Sequence, residues 1–203
     1  MPEEPSGRDR LLQQTIAYVS RQGVADLTLR TLAGALGTSH RMLIYHFGSK
    51  EGLLAAVVAE LERGHRELLA ELMDDPDMTV PALARQLWRR VSAPEMWPFA
   101  RLFFEVYAHG THGRAHARPL LDAALEPWFD AVTELHRRQG LSPARARAHA
   151  HQGIAVTRGL LLELIATGNR RDVDRAMKLQ IEMYEQDLER HGAHAAVDGG
   201  SHR

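Results

Sequence analysis

The chain holds twelve histidines and no cysteine. Without cysteine there is no disulfide framework, thiolate zinc site or cysteine nucleophile. His109, His112 and His116 stand in an H-x2-H-x3-H pattern, a spacing that on a regular helix could gather a metal ion. Gly110 and Gly113 interrupt that pattern, and no carboxylate lies within it. HGTHGRAH therefore reads as a solvated loop, and no metal or other cofactor is expected. The chain has no nucleophile elbow, no glycine-rich phosphate loop and no H-E-x-x-H helix, so no enzymatic activity is expected.

A second group of residues suits a different chemistry. The segment TLRTLAGALGTSHRMLIYHF, Thr28–Phe47, has the mechanics of a helix-turn-helix. Thr28 is a good N-cap, Leu29, Leu32, Ala33 and Leu36 form an apolar stripe, and Gly37 gives the backbone freedom for the turn. Ser39 caps a second short helix, which Gly48 ends. Leu32, Ala33, Leu36 and Leu43 must pack the two helices together. The second helix then exposes His40, Arg41, Met42 and Tyr45, whose donors and apolar tips can meet base edges in the DNA major groove.

From Thr28 to Leu54 the chain closely resembles the DNA-binding domain of the TetR family of transcriptional regulators. The matching residues are Thr28, Arg30, the Leu32-Ala33 pair, Gly37, Ser39, Leu43, His46, Phe47, Lys50 and Leu53. The resemblance implies phosphate contacts from Thr28, Arg30, Ser39, His46 and Lys50. It implies base contacts from His40, Arg41 and Met42, with Tyr45 facing either base or phosphate. One position departs from the family pattern: Ile44 stands where many members carry a phosphate-binding tyrosine, and the aromatic hydroxyl comes one residue later. One residue rotates a helical side chain by about 100°, so Ile44 is expected to turn inward.

The elements that must carry these residues are helical throughout. Of the 203 residues, 44% are hydrophobic and 25% charged, and the chain is rich in alanine, leucine and arginine, with no strand-type alternation. The fold class expected is all-α with about nine helices. Helices are predicted at Arg8–Gln22, at the two reading segments, at Lys50–Met73, from Pro81 to Val91, from Pro94 to about Ala108, and from about Arg118 to Arg138 with a kink at Pro127. Two more run from Ser142-Pro143 to near Gly168 and over Asp172–Arg190. This gives a reading domain over 1–48, a larger helical domain over 49–190, and a disordered tail over 191–203. The 25 basic and 26 acidic residues give a net charge of −1, which leaves DNA binding to a few well-placed cations. The longest apolar run, Gly159–Ile165, contains Glu163 and is too short to cross a bilayer; the chain is expected in the cytoplasm, off the membrane.

The larger domain has two expected tasks. One reading head makes few phosphate contacts, and two heads about 34–36 Å apart on one face of the duplex give affinity and specificity. A homodimer is therefore expected. Ala148, Ala155, Gly159, Leu162 and Ala166 on the penultimate helix are the candidate interface. Aromatic residues concentrate in the middle of the chain. By the family resemblance, Trp88, Trp97, Phe103, Phe104, Tyr107 and Trp128, with Arg158, are candidates to line a pocket for a small apolar or amphipathic inducer. Buried polar groups are expected at Arg158, Glu163, Glu105 and His149. The function implied is a repressor that binds a palindromic double-stranded DNA operator as a homodimer and is released by a ligand. The alternative is a DNA-binding regulator or architectural protein with no small-molecule ligand.

Overall fold

Ser6, Thr28, Ser39, Ser49 and Thr79 each start a helix by accepting a backbone N–H on the side-chain oxygen, and Gly23, Gly48 and Gly168 take positive φ where helices stop. In the computed structural model, residues 6–24, 26–114, 117 and 126–198 are described, the last ten by their backbone alone. Among them are nine α-helices and one 3-10 turn, with no strand. They are α1 (Gly7–Gln22), α2 (Leu29–Ala35), α3 (His40–Phe47), α4 (Lys50–Met73), α5 (Val80–Val91), α6 (Trp97–Thr111), α7 (Glu126–Arg138), α8 (Pro143–Thr167) and α9 (Arg170–Asp198). No helix among the described residues is long and apolar enough to cross a membrane.

The chain forms two compact units. The first comprises Met1–Leu68 and Ala93–Pro127, the second Leu69–Ser92 and Trp128–Arg203. The first unit has a core of Leu12, Leu29, Leu32, Ala33 and Leu43, completed by Leu53, Leu54, Val57 and Val58 of α4 and by Leu102 and Val106 of α6. The packing therefore does not divide at Gly48. The three short helices bury too little surface by themselves, and α4 and α6 supply the missing wall.

The second unit buries Leu69, Met73, Met78, Leu83, Val132, Leu135 and Ala150 together. On α9, Val173, Met177, Ile181 and Tyr184 are buried at helical spacing. Trp88 is buried, and its indole N–H donates to Asp174 Oδ1 at 2.8 Å, which ties α5 to α9. The Arg138 guanidinium donates to the Met73 carbonyl at 2.9 Å.

Several boundaries differ from the sequence expectation. α6 runs through His109, Gly110 and Thr111, so HGTHGRAH is not all loop. The Thr111 hydroxyl donates to the Ala108 carbonyl at 2.8 Å, and the chain turns at Gly113, at φ +69°. α9 extends past Arg190 to Asp198, into the segment expected as a tail, because its alanines favour helix. Ser142 occupies the N-cap of α8, but its hydroxyl makes no capping bond. The first residues of the helix expected from Arg118, and His116, lie outside the described residues.

The second unit also encloses a titratable cluster drawn from three helices. His136 of α7 is 2% exposed, and its Nδ1 donates to the Val132 carbonyl at 2.7 Å. Its ring stacks on His149 of α8 with centroids 5.7 Å apart, and Tyr184 of α9 stands edge-on to both. The Tyr184 hydroxyl donates to Gln139 Oε1 at 3.0 Å. His149 Nε2 lies 3.3 Å from Asp187 Oδ2, which also meets Arg145 at 3.2 Å. Burial holds the His136 pKa below the ordinary histidine range; the neighbouring His149 adds to the effect, and the Val132 carbonyl opposes it. Burial, and secondarily Asp187, push the Tyr184 hydroxyl up.

The depressed His136 pKa means that the unfolded chain binds its proton more readily. Its contribution to stability is present above the ordinary histidine pKa of about 6.5 and is lost as pH falls below it. Urea unfolding at pH 7.5 and 5.5 is expected to show a lower midpoint in acid. The drop should shrink in His136→Phe, which keeps a ring but cannot take a proton. An unchanged drop in that variant assigns the acid sensitivity to other groups.

Candidate nucleic-acid interface

The geometry of the reading segment starts from its caps. Thr28 and Thr31 form a capping box at the start of α2, with the Thr28 hydroxyl accepting from Thr31 N–H at 3.1 Å. Gly37 takes φ +65° in the turn, and Thr38 N–H donates to the Ala33 carbonyl at 3.0 Å. Ser39 Oγ accepts from Met42 N–H at 3.2 Å and starts α3. Because that oxygen acts as acceptor, the Ser39 hydroxyl proton is available to a phosphate.

Leu43 is fully buried and Phe47, one turn on, packs against the same core. These two residues fix the rotation of α3. At about 100° per residue, Arg41 and Tyr45 point about 160° away from Leu43, one on each side of the outermost line. Arg41 is exposed, and Tyr45 is 78% exposed. Met42 and Ile44 flank them at 41% and 37% exposure, and His40 is exposed in the first turn. The expectation that Ile44 turns inward is therefore corrected. Leu43 and Phe47 already fill the inward direction, and Ile44 lies about 100° from it.

The residues expected to meet phosphate differ in exposure. Thr28, Arg30 and Ser39 are exposed, while His46 and Lys50 are half-buried. From Leu27 to Lys50 the sequence has no carboxylate. Arg30, Arg41 and Lys50 make no ion pair among the described residues. The second unit, by contrast, pairs Arg85 with Glu185, Arg145 with Asp187 and Arg175 with Asp172. A chain of net charge −1 thus keeps cations unneutralised at its reading head.

Two residues of this head are missing from the sequence reading. Arg8, in the first turn of α1, lies with its guanidinium 5.3 Å from the centre of the Phe47 ring, beside the His46 ring that also faces Tyr45. Gly52 is the second. The chain turns from α3 to α4 at Gly48 (φ +76°), Ser49 Oγ accepts from Gly52 N–H at 3.0 Å, and a Cβ at Gly52 would lie 2.2 Å from the Phe47 carbonyl oxygen. A lone glycine inside a helical pattern was the available signal.

The other expected residues fall in separate places. Trp97, Phe103, Phe104 and Tyr107 belong to α6 in the first unit, with Phe103 ring-to-ring at 5.3 Å from Phe104 and 5.8 Å from Tyr107. Arg101 lies 5.7 Å over the Trp97 ring. Trp88, Trp128 and Arg158 belong to the second unit, where Trp88 is buried, Trp128 packs on the core and Arg158 is half-buried. Glu105 and Glu163 are exposed, against expectation: each lies off the buried stripe of its helix. Ala148, Ala155, Gly159, Leu162 and Ala166 are all exposed and line one side of α8. On α9, Ala176, Leu179 and Met183 are exposed at matching spacing.

Comparison with known proteins now bears on this geometry. The family model for bacterial regulatory proteins of the tetR family matches residues 11–57. The HTH-type transcriptional regulator BetI of Pseudomonas aeruginosa is 28% identical over 192 residues, 91% of this chain and 94% of its own. Among solved structures, a TetR transcriptional regulator from Legionella pneumophila superposes with a TM-score of 0.66 at 15% identity, over 90% of this chain and 99% of that one. A Saccharomonospora viridis protein in complex with choline superposes with a TM-score of 0.65 at 20% identity, over 88% and 95%.

The 2.2 Å approach at Gly52 leads to a stability prediction. The contact is to backbone, so Gly52→Ala must displace the α3–α4 junction, at a cost of about 1–3 kcal/mol. Thermal unfolding should show a clear fall in midpoint. Gly34→Ala, where nothing lies within 4 Å of the added carbon, is the control and should be neutral or stabilising by up to ~1 kcal/mol. Equal effects from the two substitutions would remove the special role of Gly52.

Proposed function

This chain belongs to the tetR family of bacterial transcriptional regulators, and from that premise we propose that it is a repressor, acting as a homodimer on a palindromic operator and released by a small-molecule inducer. The observation that carries the reading is the outward face of α3. Arg41 and Tyr45 stand opposite the buried Leu43, in a stretch free of carboxylates.

α3 enters the major groove by its N-terminal part, and Arg41 donates two hydrogen bonds to a guanine edge, a contact worth about 1–3 kcal/mol of discrimination. His40, Met42 and Tyr45 complete the base-facing set. Thr28, Arg30, Ser39, His46 and Lys50 hold the flanking phosphates, helped by the amides of the first turn of α4. Two copies meet through the exposed apolar sides of α8 and α9, which form a four-helix interface with their symmetry mates.

The ligand residues remain in two groups, one in each unit: Trp97, Phe103, Phe104 and Tyr107 in the first, and Trp88, Trp128 and Arg158 in the second. The choline-bound neighbour directs attention to organic cations, which aromatic ring faces attract. The inducer acts by favouring a dimer whose heads are wrongly spaced for the operator, and α4, which runs from the head into the second unit, is the connecting element.

Selection of bound duplexes from a random pool should return a palindrome with half-sites about one helical turn apart. Arg41→Ala should relax base preference at one position per half-site. Lys50→Ala should weaken binding to all sequences and lower the salt slope by about one. If both variants bind like the parent, α3 is not the reading helix. The double variant Leu179→Glu/Met183→Glu should sediment as a monomer and lose operator binding; a persistent dimer places the interface elsewhere. Choline and other organic cations, titrated into the operator complex, test the inducer. No change in operator affinity with any of them removes the organic-cation assignment.

A further inference from the structure

We propose that Ile44 determines sequence specificity, packing against the 5-methyl group of a thymine on the base pair next to the one read by Arg41. The inference rests on the reading of α3 as the helix in the major groove.

Ile44 is 37% exposed because the inward direction of α3 is occupied by Leu43 and Phe47. It is three residues from Arg41, so the two side chains are neighbours on one helix surface. Met42 and Tyr45 form a second pair at the same spacing, on the other side of the outermost line. Arg41 and Ile44 are separated by about 4.5 Å along the helix axis, against about 3.4 Å per base pair, so the pair spans adjacent steps of the duplex.

The chemistry of the side chain limits what it can do there. Isoleucine has no donor, so it cannot hold a phosphate. It gains nothing from its present exposure, and its branched carbon adds no helix propensity. It is stiff at χ1, so it presents a fixed apolar surface and loses little freedom when covered. The thymine methyl is the apolar group that the major groove offers to such a surface. The exposed isoleucine beside a guanine-reading arginine therefore selects thymine at the neighbouring step.

The test uses the full chain and its own selected duplex. Each thymine of the recovered half-site is replaced in turn by deoxyuridine, which removes the methyl and leaves every hydrogen-bonding group. At one thymine, adjacent to the guanine whose preference is lost in Arg41→Ala, the parent protein should bind roughly fourfold more weakly. Ile44→Ala should show no such loss at that thymine, and its salt slope should equal the parent's. Recovered half-sites without a thymine next to that guanine overturn the inference. So does equal sensitivity to uracil in parent and variant. Failure to enrich any sequence is a different result: it overturns the reading of α3 itself, and this inference with it.

Discussion

The contact between the Phe47 carbonyl and the first turn of α4 sets the orientation of everything that faces outward. Gly52 lets that carbonyl approach to a distance no side chain permits. The junction is closed further by the positive φ of Gly48 and by the Ser49 hydroxyl on Gly52 N–H. The carboxyl end of α3 joins that junction, and the buried Leu43 sets which side of the helix faces inward. The same junction places Lys50 three residues from Phe47, so one backbone constraint positions both α3 and the Lys50 cation.

Much of this was legible because caps and glycines have local physical causes. Thr28, Ser39, Ser49 and Thr79 each accept a backbone N–H where the pattern places a helix start, and Gly23, Gly48 and Gly168 each take positive φ where it places a stop. Ile44 was misread because residue type was given more weight than helical phase. Isoleucine favours burial on average, but Leu43 and Phe47 had already fixed which side of α3 is inside. Gly52 could not be weighed from the sequence, because its importance lies in a carbonyl five residues earlier. The domain edge at Gly48 followed the function of the motif, whereas the core follows surface area and draws on α4 and α6. The extension of α9 was missed because glycine and histidine in the last stretch outweighed its alanines.

Ion pairing distinguishes the reading segment from the rest of the described chain, since Arg63 also pairs with Glu60 and Glu67 in the first unit. In the second unit, arginines meet carboxylates across helices, as at Arg85–Glu185 and Arg145–Asp187, and such exposed pairs contribute little to stability. Their effect on the whole is to cancel long-range potential. The head keeps Arg30, Arg41 and Lys50 without ion pairs among the described residues, so its field is not cancelled locally. A net charge near zero is thus compatible with DNA binding, because the field that matters extends only about 10 Å at ordinary salt.

The same count of cations explains why the exposed side of α8 and α9 belongs to the DNA-binding argument. On the proposed reading, a single head offers the phosphates only two full charges, Arg30 and Lys50, beside Thr28, Ser39 and His46. Counterion release scales with the number of phosphates neutralised, so one head binds weakly and with shallow salt dependence. Doubling the head doubles that number, provided the two are held at a fixed spacing. A row of small exposed residues on α8, beside Leu179 and Met183 on α9, offers close helix approach with apolar area at its edge. The proposed dimer would cover that surface and give the head its second copy. The two features answer the same physical need, and on the proposed reading the limited charge of the head leaves discrimination to the few exposed groups of α3.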